Sequence, residues 1–117
     1  MHSIKKTKSF KLVYNNGRHV ANNLFVMHTI ENDTGDNRLG ISISKKVGKA
    51  VIRNRIRRLI KESFRLKKDK LIKGFDIVIV GRRAVSDMPK EGSFIMVDKS
   101  IDSLLRRIGL LHKVAND

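Results

Sequence analysis

Residues 42–58 read SISKKVGKAVIRNRIRR, an alternating stretch that passes through two lysines and a glycine into an arginine-rich segment. Two hydrophobic periods meet there. Leu39, Ile41 and Ile43 alternate with Gly40, Ser42 and Ser44, the two-residue repeat of a strand with one apolar face and one small, polar face. From Gly48 onward, Ile52, Ile56, Leu59, Ile60 and Phe64 share one arc of a helix that runs to about Lys67, while Arg53, Arg57, Arg58, Lys61 and Arg65 take the opposite arc.

Beyond this helix, Gly74 leads into Phe75–Val80, an almost unbroken apolar run that reads as a central strand buried on both faces. Strand, helix, strand is a βαβ unit, because a parallel pair needs a crossover of this kind, with a right-handed default. Upstream, Thr7 is the expected N-cap of a short helix ending near Gly17, with Phe10, Val13 and Tyr14 on one face. Val20 to Ile30 reads as extended: Leu24, Val26 and Ile30 alternate against Phe25, Met27 and Thr29, and Asn22-Asn23 bends the run. Glu31 to Asn37 carries hairpin-loop chemistry. After Met88-Pro89 and Gly92, the spacing of Val97, Ile101, Leu104, Leu105, Ile108 and Leu111 gives a closing helix, so the expected order is αβββαβα.

The chain has 117 residues and no linker-like tract, which predicts one domain over 1–117. Apolar residues make up 40% of it, enough for a packed core, and 26 Lys and Arg face 11 Asp and Glu for a net charge of +15. Such self-repulsion points to a polyanionic partner, nucleic acid first. There is no cysteine, hence no disulfide framework or thiolate metal site, and no apolar stretch has the length of a signal core or membrane span. The expectation is a cytoplasmic protein with no membrane partner.

The charge is concentrated. Lys45 to Lys70 holds twelve Lys and Arg against Glu62 and Asp69, whereas an ordinary solvated helix face mixes signs to gain i,i+4 pairs. Arg53-Asn54-Arg55 adds guanidinium forks that clamp phosphates and an amide that both donates and accepts. Phe10 and Tyr14 sit among Lys5, Lys6, Lys8 and Lys11, a mixture of stacking faces and cations suited to single-stranded nucleic acid, although core packing is the commoner role of two helix aromatics. No catalytic constellation emerges: His2, His19, His28 and His112 lack metal-pair spacing, and Asp98 and Asp102, one turn apart, read as capping or solvated residues.

The order Ser42-x-Ser44-Lys45-Lys46-x-Gly48-x-Ala50-Val51-x-Arg53-Asn54-Arg55, followed by Arg58, resembles the protein subunit of bacterial ribonuclease P. The resemblance implies a small α+β (α/β sandwich) fold like ribosomal protein S5 domain 2, with a four-stranded sheet and a left-handed βαβ crossover. It implies a protein that assists a catalytic RNA, which hydrolyses precursor tRNA with Mg²⁺ bound mainly by that RNA and leaves a mature 5′ phosphate. The partners implied are ribonuclease P RNA and precursor tRNA, with no obligate protein partner.

On the same basis, Lys45, Lys46, Lys49, Arg53, Asn54, Arg55, Arg57 and Arg58 are expected to hold the catalytic RNA. Phe10, Lys11, Tyr14, Phe25, His28 and Ser42 are expected to line a cleft for the single-stranded 5′ leader. His28 stands where many relatives carry an aromatic residue. Composition alone leaves open a ribosomal or other structural RNA-binding protein; a helix-turn-helix DNA binder fits less well, because strands intervene where its first helix should be.

Overall fold

The computed structural model describes residues 1–112. Its elements are β1 (His2–Ser3), α1 (Thr7–Asn16), β2 (Arg18–Ala21), β3 (Phe25–Glu31), β4 (Arg38–Ser42), α2 (Ala50–Leu66), β5 (Phe75–Gly81) and α3 (Ser93–Ile108). The strands form one sheet in the order β1-β4-β5-β3-β2. Short 3-10 turns at Lys68–Lys70 and Arg83–Asp87 flank β5. No helix among the described residues is long and apolar enough to cross a membrane.

The apolar run of β5 is explained by its central place. Ile77, Val78 and Ile79 are fully buried; Ile77 and Ile79 join the main core with residues of α2 and α3, and Val78 joins a smaller cluster with Ile4 and Val13. β5 runs parallel to β4 and antiparallel to β3, so the expected crossover through α2 is present. The main core draws Ile56, Ile60 and Phe64 from α2, Val97, Ile101, Leu104, Leu105 and Ile108 from α3, and Phe25 and Met27 from β3.

Several expectations are corrected. β3 and β4 do not form a hairpin, because β5 lies between them. The turn residues of Glu31–Asn37 instead tie the loop to the start of β5: the Asn32 N–H donates to the Gly74 carbonyl at 2.8 Å, and Asn37 Oδ1 accepts from the Phe75 N–H at 2.9 Å. The sheet has five strands rather than four, since His2–Ser3 adds a parallel edge to β4 through too few residues to show a period. Lys6, not Thr7, precedes α1 as its N-cap. α3 ends at Ile108, where Gly109 adopts φ 81° as the C-cap, and Leu111 pairs with Leu71 in an isolated bridge.

Asp98 and Asp102 prove to be neither caps nor merely solvated. The ammonium of Lys67, a residue only 5% exposed, donates to the Ser63 carbonyl at 2.9 Å, to Ser63 Oγ at 2.6 Å and to Asp98 Oδ1 at 2.5 Å, with Asp102 at 3.3 Å. Burial pushes the Asp98 carboxyl up, but hydrogen bonds from Lys67 and Ser63 outweigh it and hold the group below the usual carboxylate range. Stability from this contact is therefore present above the unfolded-state pKa of an aspartate and is lost as pH falls through the lowered folded value. Asp98→Ala should cost about 1–3 kcal/mol at neutral pH by leaving the buried lysine with only the more distant Asp102, and urea unfolding should show the gap from wild type closing in acid.

Candidate nucleic-acid interface

Cross-strand register decides which side chains share the sheet face beneath α1. His19, His28, Val78 and Gly40 form one row across β2, β3, β5 and β4; Ala21, Val26, Val80 and Ser42 form the next. α1 has ten residues and is therefore about 15 Å long, too short to cover the whole face. Gly40 lets the helix approach: a Cβ there would lie 2.8 Å from Phe10 Cζ and 2.9 Å from Cε1.

The result is a chain of four rings. Phe10 and Tyr14 have centroids 6.3 Å apart, Tyr14 meets His28 edge-on at 4.9 Å, and His28 lies 5.5 Å from His19. A cavity of about 310 Å³ beside the first two rings is lined by Thr7, Phe10, Tyr14, Ser42 and Arg57 among others. Burial, and then the neighbouring His19, hold the His28 imidazole below its ordinary range. At neutral pH His28 is an uncharged ring, suited to stacking rather than to pairing with phosphate.

Four of the six residues expected at the leader cleft, Phe10, Tyr14, Ser42 and His28, come together here, and Lys11 stands exposed on α1. Phe25 does not join them. β3 alternation turns Val26, His28 and Ile30 toward α1 and puts Phe25, fully buried, in the core on the opposite face. His19 was not anticipated as a ring of this strip; only its pairing with His28 reveals it.

The basic segment forms the second surface. A turn closed by the Val47 N–H on the Ser44 carbonyl at 3.0 Å buries Val47 and leaves Lys45, Lys46 and Lys49 exposed. On α2, Asn54 and Arg58 are exposed, while Arg53, Arg55 and Arg57 are half-buried. Arg53 Nε donates to the Gly48 carbonyl at 3.1 Å, fastening the entry loop to the first turn, and Arg57 Nη1 reaches Asn54 Oδ1 at 3.3 Å. Arg55 Nε is buried with no hydrogen-bond partner. Not every cation of Lys45 to Lys70 belongs to this surface: Lys67 is internal, and Arg65 is forked onto Glu62 at 2.6 and 2.9 Å. Among the described residues, no group of three or more His, Asp or Glu is placed to hold a metal ion.

Both the sequence and the fold match known proteins. Residues 1–109 match the family model described as Ribonuclease P. A ribonuclease P protein component from Clostridium kluyveri is 44% identical over 112 residues, 94% of this chain and 96% of that protein. The ribonuclease P protein of Staphylococcus aureus superposes with a TM-score of 0.86 at 34% identity, covering 96% of this chain and 99% of that one. The Thermotoga maritima protein gives 0.83 at 33% identity, over 92% and 97%.

Two outcomes test the ring strip. In a proton NMR titration, His19→Ala should raise the pKa of His28 toward the ordinary imidazole value by removing a like charge; an unmoved pKa would contradict the contact. Gly40→Ala should displace Phe10 and weaken binding of single-stranded RNA several-fold, since one stacked base is worth about 1–3 kcal/mol, with the salt dependence of binding unchanged because no cation is lost.

Proposed function

The chain belongs to the ribonuclease P protein family, and from that premise we propose a division of labour between its two surfaces. The protein is the accessory subunit of ribonuclease P and assists RNA-catalysed removal of the 5′ leader from precursor tRNA. Membership decides against the structural RNA-binding reading. In the proposed division, residues 1–117 act as one domain whose basic surface, Lys45, Lys46, Lys49, Arg53, Asn54, Arg55, Arg57 and Arg58, holds the catalytic RNA. The ring strip, Phe10, Tyr14 and His28 with Ser42 and Lys11, holds the leader, and His19 extends it.

The observation that carries this reading is the four-ring strip on a sheet face only partly covered by its helix. Stacking accepts any base, which suits leaders of differing sequence, whereas phosphate contacts supply affinity without sequence information. Magnesium, bound mainly by the RNA, supplies the hydrolytic chemistry. The chain's cations reduce phosphate repulsion around that RNA, so less metal is needed to fold and load it.

Reconstitution with a matching ribonuclease P RNA at low Mg²⁺ should accelerate cleavage of precursor tRNA; no gain in rate or substrate affinity would overturn the proposal. Arg53→Ala should weaken catalytic-RNA binding about tenfold by loss of a charge-assisted contact. Tyr14→Ala should cost a similar factor only for substrates that carry a leader.

A further inference from the structure

A larger cavity, of about 530 Å³, opens between β1, β4 and α2. Ile4, Leu39 and Ile41 supply an apolar floor, with Phe64 also lining it, and Lys5, Arg57 and Lys61 supply charge. Arg65 lines it too but is held by Glu62. No acidic side chain lines the cavity, and among the described residues Lys5, Arg57 and Lys61 make no salt bridge. Ile41 and Arg57 also line the cavity beside Phe10 and Tyr14, so the two hollows adjoin at β4.

An apolar floor beneath unpaired cations complements an unpaired nucleotide, whose base is removed from water while its phosphate meets the cations. A duplex offers only phosphates here and leaves the floor unmatched. The volume lies within the usual range for a small-molecule site. We infer that the single strand laid over the rings continues past Arg57 and seats one further leader nucleotide in this cavity. The inference rests on the leader reading of the ring strip.

The chain contains no cysteine, so Ser3→Cys, at the cavity, and Thr7→Cys, at the ring strip, each offer one attachment point for a photo-crosslinker. In the reconstituted complex with precursor tRNA bearing an extended leader, both should capture leader nucleotides, and different ones. Capture from Ser3→Cys of catalytic RNA alone, or of nothing, while Thr7→Cys still captures leader, would overturn the cavity assignment and spare the strip. Failure at both positions would overturn the leader reading itself, and the cavity assignment with it.

A second measurement does not depend on crosslinking. Lys5→Ala with Lys61→Ala should weaken binding of extended-leader precursor several-fold and lower its salt slope by about one, the contribution of the seated nucleotide's phosphate, while leaderless tRNA binds as before. Equal losses with and without the leader would overturn the assignment.

Discussion

Phe75–Gly81 pairs along both edges, parallel to β4 and antiparallel to β3, and those two registers place nearly every side chain that matters. A strand alternates its faces with a period of two, so a slip of one residue in β5 would turn Ile77 and Ile79 out of the main core, and a slip of one residue in β3 would bring Phe25 under α1. One polar residue helps to pin the register. Asp76, 2% exposed, sits opposite Arg38 and is forked by its guanidinium, with Nε 2.7 Å from Oδ1, while Asn32 donates to the same oxygen at 2.8 Å. Burial pushes the Asp76 carboxyl up, and the bonds from Arg38 and Asn32 pull it net below the usual range. A shifted strand would strand that charge in the interior, an arrangement costing several kcal/mol.

Charge in this molecule does two kinds of work. Some of the cations behind the +15 net charge also tie the fold together. Arg18 donates to the Ile108 carbonyl at 3.0 Å, Arg107 to Ala21 at 2.7 Å and Arg82 to Asn22 at 2.8 Å, fastening β2 and its following turn to α3 and to the end of β5. Lys67 joins α2 to α3 through Asp98. In the proposed division, the cations that meet RNA are a subset: the exposed turn lysines, the outer arc of α2 and the lysines of α1. Arg57 stands where the proposed surfaces approach one another, bonded to Asn54 on the helix and lining both cavities.

Elements with a long, one-sided or two-sided apolar pattern were legible from residues alone: α2, α3 and β5 appear within a few residues of their expected bounds, and the parallel crossover followed from their order. Strand partnership was not. Glu31–Asn37 has hairpin turn chemistry, yet local turn residues say nothing about a strand arriving from forty residues downstream, roughly the span of a βαβ unit, to insert between the two it joins. His2–Ser3 is too short to carry a pattern. At the site, Phe10, Tyr14 and Ser42 could be grouped by resemblance, but the facing of Phe25 and the company of His19 depend on pairing. Lys67 looks like its neighbours in sequence and differs only in being buried against α3.

Arg53 is fastened to Gly48, and Tyr14 to Phe10 and His28, with no partner in common. A double-mutant cycle between Arg53→Ala and Tyr14→Ala therefore tests the separation of the two surfaces directly, read as the free energy with which the protein binds the complex of catalytic RNA and precursor tRNA. Separable surfaces require the two losses to add to within about 0.5 kcal/mol. A coupling above about 1 kcal/mol, or a Tyr14→Ala loss of equal size when the leader is removed, would contradict a fold that grips the ribozyme with one surface and the substrate leader with the other.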